Sequence, residues 1–311
     1  MIPRRSLRIS LALSMALITT ICVEQTRLRV APVTFMIQQS QHVRQSTIQV
    51  NEESDSYISQ NSYIYKPGLW DGAPIVLKKY KLIFFTIPKV GCTVFKQLFR
   101  RMAGYPNWRK LGGSGMPHNP HVNGLKYLYN YSINEATSML KAEDWTRAIF
   151  VRDPKERFVS AYLDKAVRKG GMYVNRHCCP SCGNESSTLV GFLGVMQQCV
   201  DPHWMPQSNR MERRFWETIN FVGHIETAAA DAKELLERLG AWEDFGITGW
   251  GSSGEESIFQ SLSNVKHSTA AVTRLLEFFD NNTESLANEY YKDDYANEKM
   301  GFVQKRIVGI E

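Results

Sequence analysis

Apolar positions along the chain fall into two units with the same order: strand, turn, helix. The stretch from Ile75, IVLKKYKLIFFTI, has the β-branched and aromatic content of a strand, and Lys81 to Ile87 stops at Pro88. Val94, Phe95, Leu98, Phe99 and Met102 then recur at helical spacing until Gly104. In the second unit TRAIFVR, Thr146 to Arg152, predicts a strand that breaks at Asp153-Pro154. PKERFVSAYLDKAVRK follows with a helical pattern, and Pro154 suits its first turn. Between the units, Tyr105 to Asn123 is rich in Gly, Pro, Asn and His and predicts a long loop over the site. Further on, ETAAADAKELLERLG, STAAVTRLLEFF and ESLANEYYKDDYANEKM predict helices. The recurring unit favours an α/β fold: a central parallel sheet with P-loop-like strand-turn-helix units flanked by helices, with ligands at the carboxyl ends of the strands.

The N-terminus adds a different kind of segment. Basic residues 1–8, MIPRRSLR, precede an uncharged run, Ile9 to Val23. This predicts a signal anchor at residues 9–23 with a cytosolic tail at 1–8; a cleaved signal peptide is the alternative. The run is short against the roughly 20 residues of a usual span, which local thinning of the bilayer can accommodate. Residues 24–70 are mostly polar and read as a luminal stem, and 71–311 as the globular domain. Sequons at Asn130, Asn184 and Asn281 fit passage through the secretory lumen. Cys178, Cys179, Cys182 and Cys199 cluster, which in an oxidising lumen predicts local disulfides with an odd thiol at Cys92 or within the cluster.

Composition excludes more than it selects. With 311 residues and 43% hydrophobic content the chain can bury a full core and is neither disordered nor a multipass membrane protein. A net charge of +6, from 37 basic and 31 acidic residues, is spread along the chain. It suits anionic ligands without arguing for nucleic acid, and nothing in the sequence signals an oligomeric state.

The two turns carry the chemistry. A turn between a strand and a helix N-terminus points N–H groups at one spot and adds the positive end of the helix dipole. Lys89, Val90, Gly91, Cys92 and Thr93 fit such an anion cradle, with an ordinary βα turn as the bland alternative. The nucleotide-triphosphatase pattern G-x-x-x-x-G-K-[ST] is absent. In VRDPKERFVSAY, Arg152 stands at the strand end and Ser160 two turns into the helix, and a guanidinium fork with a hydroxyl suits a terminal phosphate. Two anion sites on neighbouring strands imply one ligand with two separated anionic groups. Arg157 reads as a solvated helical arginine that could assist.

IPKVGCT and FVRDPKERFVSAYLDK resemble the 5′-phosphosulfate loop and the 3′-phosphate motif of the Golgi carbohydrate sulfotransferases, in the branch with the chondroitin and dermatan enzymes. The resemblance continues through DPHWMPQ, FVGHIET and YYKDDY, over roughly residues 75 to 300. It implies 3′-phosphoadenosine 5′-phosphosulfate as donor, a carbohydrate acceptor, no metal, and a single-pass type II Golgi membrane protein with a luminal catalytic domain. Lys89 would then neutralise the leaving 5′-phosphate oxygen, helped by the Gly91 to Thr93 N–H groups and the Thr93 hydroxyl. Arg152 and Ser160 would take the 3′-phosphate. The chain departs from the family at Phe95, where many relatives carry Trp, at Met211, in a region where a cysteine is often found, and at Glu298, in place of an aromatic.

A histidine suits the acceptor's proton near neutral pH. His203, between Pro202 and Trp204, lies in a motif that the relatives share; a packing role beside Trp204 is its structural alternative, and His118, His121 and Glu226 are the other candidates for the base. HCCPSC with Cys199 and His203 offers zinc-like ligands, but at irregular spacing and in a compartment that favours disulfides. Two other functions compete with transfer to carbohydrate. One is a noncatalytic secreted or surface protein that keeps the fold and binds glycans. The other is a secretory phosphotransferase, which would need metal-binding carboxylates that the first loop lacks.

Overall fold

The computed structural model of the chain describes residues 57–67, 72–111, 115–260 and 271–308. The expected anchor at 9–23 and Cys22 lie outside the described residues, among which no helix is long and apolar enough to cross a membrane.

The first unit differs from its expectation. IVLKKYKLIFF is not one strand but a hairpin: β1 (Ile75–Leu77), a 3-10 turn at Lys78–Tyr80, and β2 (Leu82–Phe85). Lys81, at φ 48°, makes the left-handed reversal, and Tyr80 before it packs edge-on against Phe245 at the margin of the core. The sheet is therefore mixed rather than wholly parallel. Its order is β1-β2-β3-β4, with β1 antiparallel to β2. β3 (Thr146–Val151) and β4 (Phe221–His224) continue parallel to β2.

Helices flank this sheet. α1 (Cys92–Met102) follows β2, and α2 (Ile133–Lys141) precedes β3, capped by Ser132 and Glu135 in a capping box. α3 (Pro154–Ala161) follows β3; Asp153 caps it by accepting from the N–H groups of Lys155 and Glu156, with Pro154 at its first position. The expected longer helix continues as a π-helical turn, Tyr162–Val167. Then come α4 (Met172–His177), α5 (Cys182–Glu185), α6 (Leu189–Gln198), α7 (Arg213–Trp216), α8 (Ala228–Arg238), α9 (Trp242–Phe245), α10 (Ala271–Phe278), α11 (Asn281–Tyr290) and α12 (Lys292–Ala296).

Two apolar clusters hold these parts. On the sheet, Phe84 and Phe150 pack against Phe95 of α1 with ring centroids 4.8 and 4.3 Å away. Phe95, noted above as a departure, is thus core. Ile58 and Ile64, in the segment read as stem, are fully buried in the same cluster. The second cluster joins Phe158 of α3 to Phe192 of α6, Trp204 and Tyr291. Disulfides Cys178–Cys199 and Cys179–Cys182 staple its outer side, and Cys92 belongs to neither. With Cys179 and Cys182 joined to each other, the thiolates that a zinc site would need are committed.

Gly223 of β4 allows Phe150 its place, since a Cβ there would lie 2.5 Å from the Phe150 ring. Gly223→Ala is expected to cost about 1–3 kcal/mol through overpacking, read as a lower denaturant midpoint; an unchanged midpoint would show that the ring has room to move.

Candidate active site

β2 and β3 are parallel neighbours, so the turns that leave them open at the same edge of the sheet. The first turn is strained. Lys89 has φ 71°, a left-handed conformation that costs a residue with a Cβ roughly 1–2 kcal/mol. Gly91, at φ 64°, is the N-cap of α1, and a Cβ there would meet Ile225 Cδ1 at 2.9 Å and the Phe259 ring at 3.3 Å. Phe259 is itself left-handed at φ 60°. Three unusual backbone conformations therefore converge on one turn.

The Lys89 ammonium lies 2.9 Å from Asp164 Oδ2, on the π-helical turn after α3. Asp164 also pairs with Lys165 and Arg168, each at 3.2 Å. Burial pushes the Lys89 ammonium below its ordinary value although Asp164 opposes the shift. Burial would raise the Asp164 carboxyl, but Lys89 and Lys165 overcome it and hold the carboxyl well below the usual carboxylate range. Val90 is buried, Cys92 opens α1, and Thr93 Oγ1 lies 3.0 Å from His118 Nε2. The loop after α1 thus does lie over the turn.

The second turn is tied to the first. Arg152 Nη1 is 3.5 Å from the Lys89 carbonyl, while its Nε and Nη2 face Glu156 Oε2 at 3.4 Å. Burial raises the Glu156 carboxyl and Arg152 opposes that shift. Ser160 is 3% exposed on α3. The main chain of Arg152 is held on both sides by Gln207, whose Oε1 accepts from Arg152 N at 3.0 Å and whose Nε2 donates to Arg152 O at 2.8 Å. Asp294 accepts in turn from Gln207 N and Ser208 N.

Arg157 is a correction. Rather than solvated, it is fully buried and donates to the carbonyls of Pro88 (3.0 Å), Met205 (2.8 Å) and Pro202 (2.9 Å). A one-turn step along α3 from Asp153 points it inward beneath the first turn, where carbonyls replace water.

His203 hangs on that same loop. Its Nδ1 lies 2.6 Å from Asp201 Oδ1, and Tyr173 donates its hydroxyl to Asp201 Oδ2 at 2.9 Å. An aspartate on Nδ1 fixes the proton there and leaves the Nε2 lone pair as the basic position. Burial lowers the His203 pKa most, and the charges of Lys165 and Lys89 lower it further against the pull of Asp201. Trp204 beside it is buried, its indole N–H donating to Cys199 O at 2.7 Å. The other expected candidates stand elsewhere. Glu226 is exposed and accepts from Asp153 N at 2.7 Å; His121 is exposed; His118 sits against Thr93 and Lys96.

The profile of the sulfotransferase family matches residues 74–297. The chain belongs to that family. It is 28% identical to carbohydrate sulfotransferase 11 of Mus musculus, over 53% of this chain and 52% of the relative. Identity is 34% with carbohydrate sulfotransferase 10 of Pongo abelii, over 53% and 52%. With carbohydrate sulfotransferase 11 of Danio rerio it is 27%, over 71% and 65%. The chain spans about half the length of the first two of these relatives. No solved structure matches it.

Within this sulfotransferase-family site, sequence reasoning passed over Asp164, Tyr173, Asp201, Gln207 and Asp294. All but Tyr173 lie inside the motifs quoted for the resemblance, so motif membership was the available signal.

The lowered pKa of His203 has a consequence for stability. Below an unfolded value of about 6.5 the unfolded chain binds a proton there that the folded one refuses. The stabilisation is complete above that pH and is lost as pH falls towards the folded value. Denaturant midpoints measured from about pH 7 to pH 5 should fall less steeply in His203→Gln than in the wild type. Identical slopes would rule His203 out as the titrating group.

Proposed function

We propose that the chain transfers a sulfuryl group from 3′-phosphoadenosine 5′-phosphosulfate to a hydroxyl of a carbohydrate chain, as a type II Golgi membrane protein with a luminal catalytic domain. The observation that carries this reading is the adjacency of two anion-suited turns, with Arg152 Nη1 3.5 Å from the Lys89 carbonyl. One ligand with two anionic groups can span them. The acceptor class rests on the carbohydrate sulfotransferases among the relatives.

The residues present fit such a donor. Gly91 has no side chain to cap the first turn of α1, a task that an anion can take, and the missing Cβ keeps the turn compatible with Ile225 and Phe259. The donor supplies an activated sulfuryl group on a phosphate leaving group. Lys89 and the N–H groups of Gly91 to Thr93 stabilise charge at the 5′-phosphate. Arg152 and Ser160 hold the 3′-phosphate; Glu156, whose burial disfavours its charge, competes weakly for that guanidinium. His203 Nε2 takes the acceptor's proton as the new oxygen–sulfur bond forms, and Asp201 holds the resulting imidazolium. His203 is the base chosen here because Arg157 ties the carbonyls that flank it, Pro202 and Met205, to Pro88 of the first turn, and because Asp201 orients it.

Titration with adenosine 3′,5′-bisphosphate tests the donor half. Arg152→Ala should weaken binding by about 2–5 kcal/mol, whereas Lys89→Ala should lose turnover more than affinity. Unchanged affinity in Arg152→Ala would sink the assignment. For the base, His203→Ala should lower transfer to a glycan panel, followed by mass spectrometry, by about 10²- to 10⁴-fold with donor affinity near wild type. Wild-type turnover in that variant would move the role elsewhere.

A further inference from the structure

Lys96 is 0% exposed and lies one helical turn after Thr93 on the same face of α1. Its Nζ is 3.3 Å from His118 Nδ1, and His118 Nε2 is 3.0 Å from Thr93 Oγ1. The three side chains form a closed path, Lys96 to His118 to Thr93, that ends at the Lys89 turn. An ammonium has three donors and no acceptor. Its contact with Nδ1 therefore makes that nitrogen an acceptor and puts the ring proton on Nε2. The Nε2–H then donates to Thr93 Oγ1, occupying one of its lone pairs and leaving the hydroxyl proton to be given away. Donors linked in this order polarise one another, so the positive charge of Lys96 strengthens the Thr93 O–H as a donor.

We propose that His118 is a positioning residue for the donor's 5′-phosphate: held in one tautomer by Lys96, it turns the Thr93 hydroxyl proton towards the anion in the Lys89 turn. The inference rests on the donor reading above and takes His118 out of contention as the base. The buried Lys96 ammonium finds an acceptor in His118 Nδ1, and a histidine in a loop is fixed because two residues of α1 grip both its nitrogens.

The test uses binding rather than turnover, with two probes: adenosine 3′,5′-bisphosphate and adenosine 3′-monophosphate, which lacks the group that Thr93 would hold. His118→Ala should weaken the bisphosphate about tenfold, the scale of one hydrogen bond to a charged group, and leave the monophosphate unchanged. His118→Gln, whose amide can accept from Lys96 and donate to Thr93, should restore most of the affinity. Thr93→Val should weaken the bisphosphate similarly, and adding His118→Ala to it should cost little more, because both act through one hydroxyl. Equal loss for both probes, additive losses in the double variant, or no loss in either His118 variant would overturn the proposal. A wild-type chain that binds neither probe would overturn the donor reading itself, and the proposal with it.

Discussion

Burying an arginine costs several kcal/mol unless its N–H groups find acceptors, and Arg157 meets that condition with three main-chain carbonyls: Pro88, Pro202 and Met205. Pro88 opens the first turn, and the other two bracket His203. One guanidinium thus joins the part of the site suited to an anion with the part that carries an imidazole. Neither loop has regular secondary structure to fix it, and carbonyls turned away from water need donors in any case. Because the fork is planar and rigid, it sets the spacing of the loops as well as satisfying them. A lysine at this position has one nitrogen and could not reach all three.

The charges around that joint are arranged so that each constrains another. Asp164 is outnumbered by Lys89, Lys165 and Arg168 and stays ionised. The net positive field that remains disfavours a second proton on His203, on top of the cost of burial. The same surroundings that would attract an anionic ligand therefore disfavour the charged imidazole. Asp201 works in the opposite sense, orienting the ring and stabilising it once protonated. The π-helical turn matters here: it shifts the residues after Ala161 out of α-helical register and brings Asp164 to Lys89.

How far this was legible in the sequence depended on the range of the interaction. The two strand-turn-helix units were readable because periodicity and Pro, Gly and Asp signals are local. The β1–β2 hairpin was missed because its reversal uses Lys81 in a left-handed conformation with no Gly or Asn to announce it. Arg157 was misread for a related reason. Its acceptors are main-chain carbonyls 45 to 69 residues away, and a carbonyl leaves no mark in a sequence. Gln207 and Asp294 lay in motifs already quoted, yet their task, gripping the backbone of Arg152 and the segment behind it, needs the fold to bring them there.

Lys89 shows why the strained turn takes this form. Glycine would adopt φ 71° without cost, so a lysine there means that the side chain is worth more than the strain. Two residues on, the requirement reverses. At Gly91 the close approach of Ile225 and Phe259 leaves no room for a Cβ, and the helix start presents main-chain donors. The turn therefore alternates a side chain that delivers charge with a position stripped to the backbone. Phe259, forced into its own left-handed conformation, packs its ring between Gly91 and Phe95. The strain of the turn is in this way carried by the aromatic core of the sheet, and the core in turn holds the cradle to one shape.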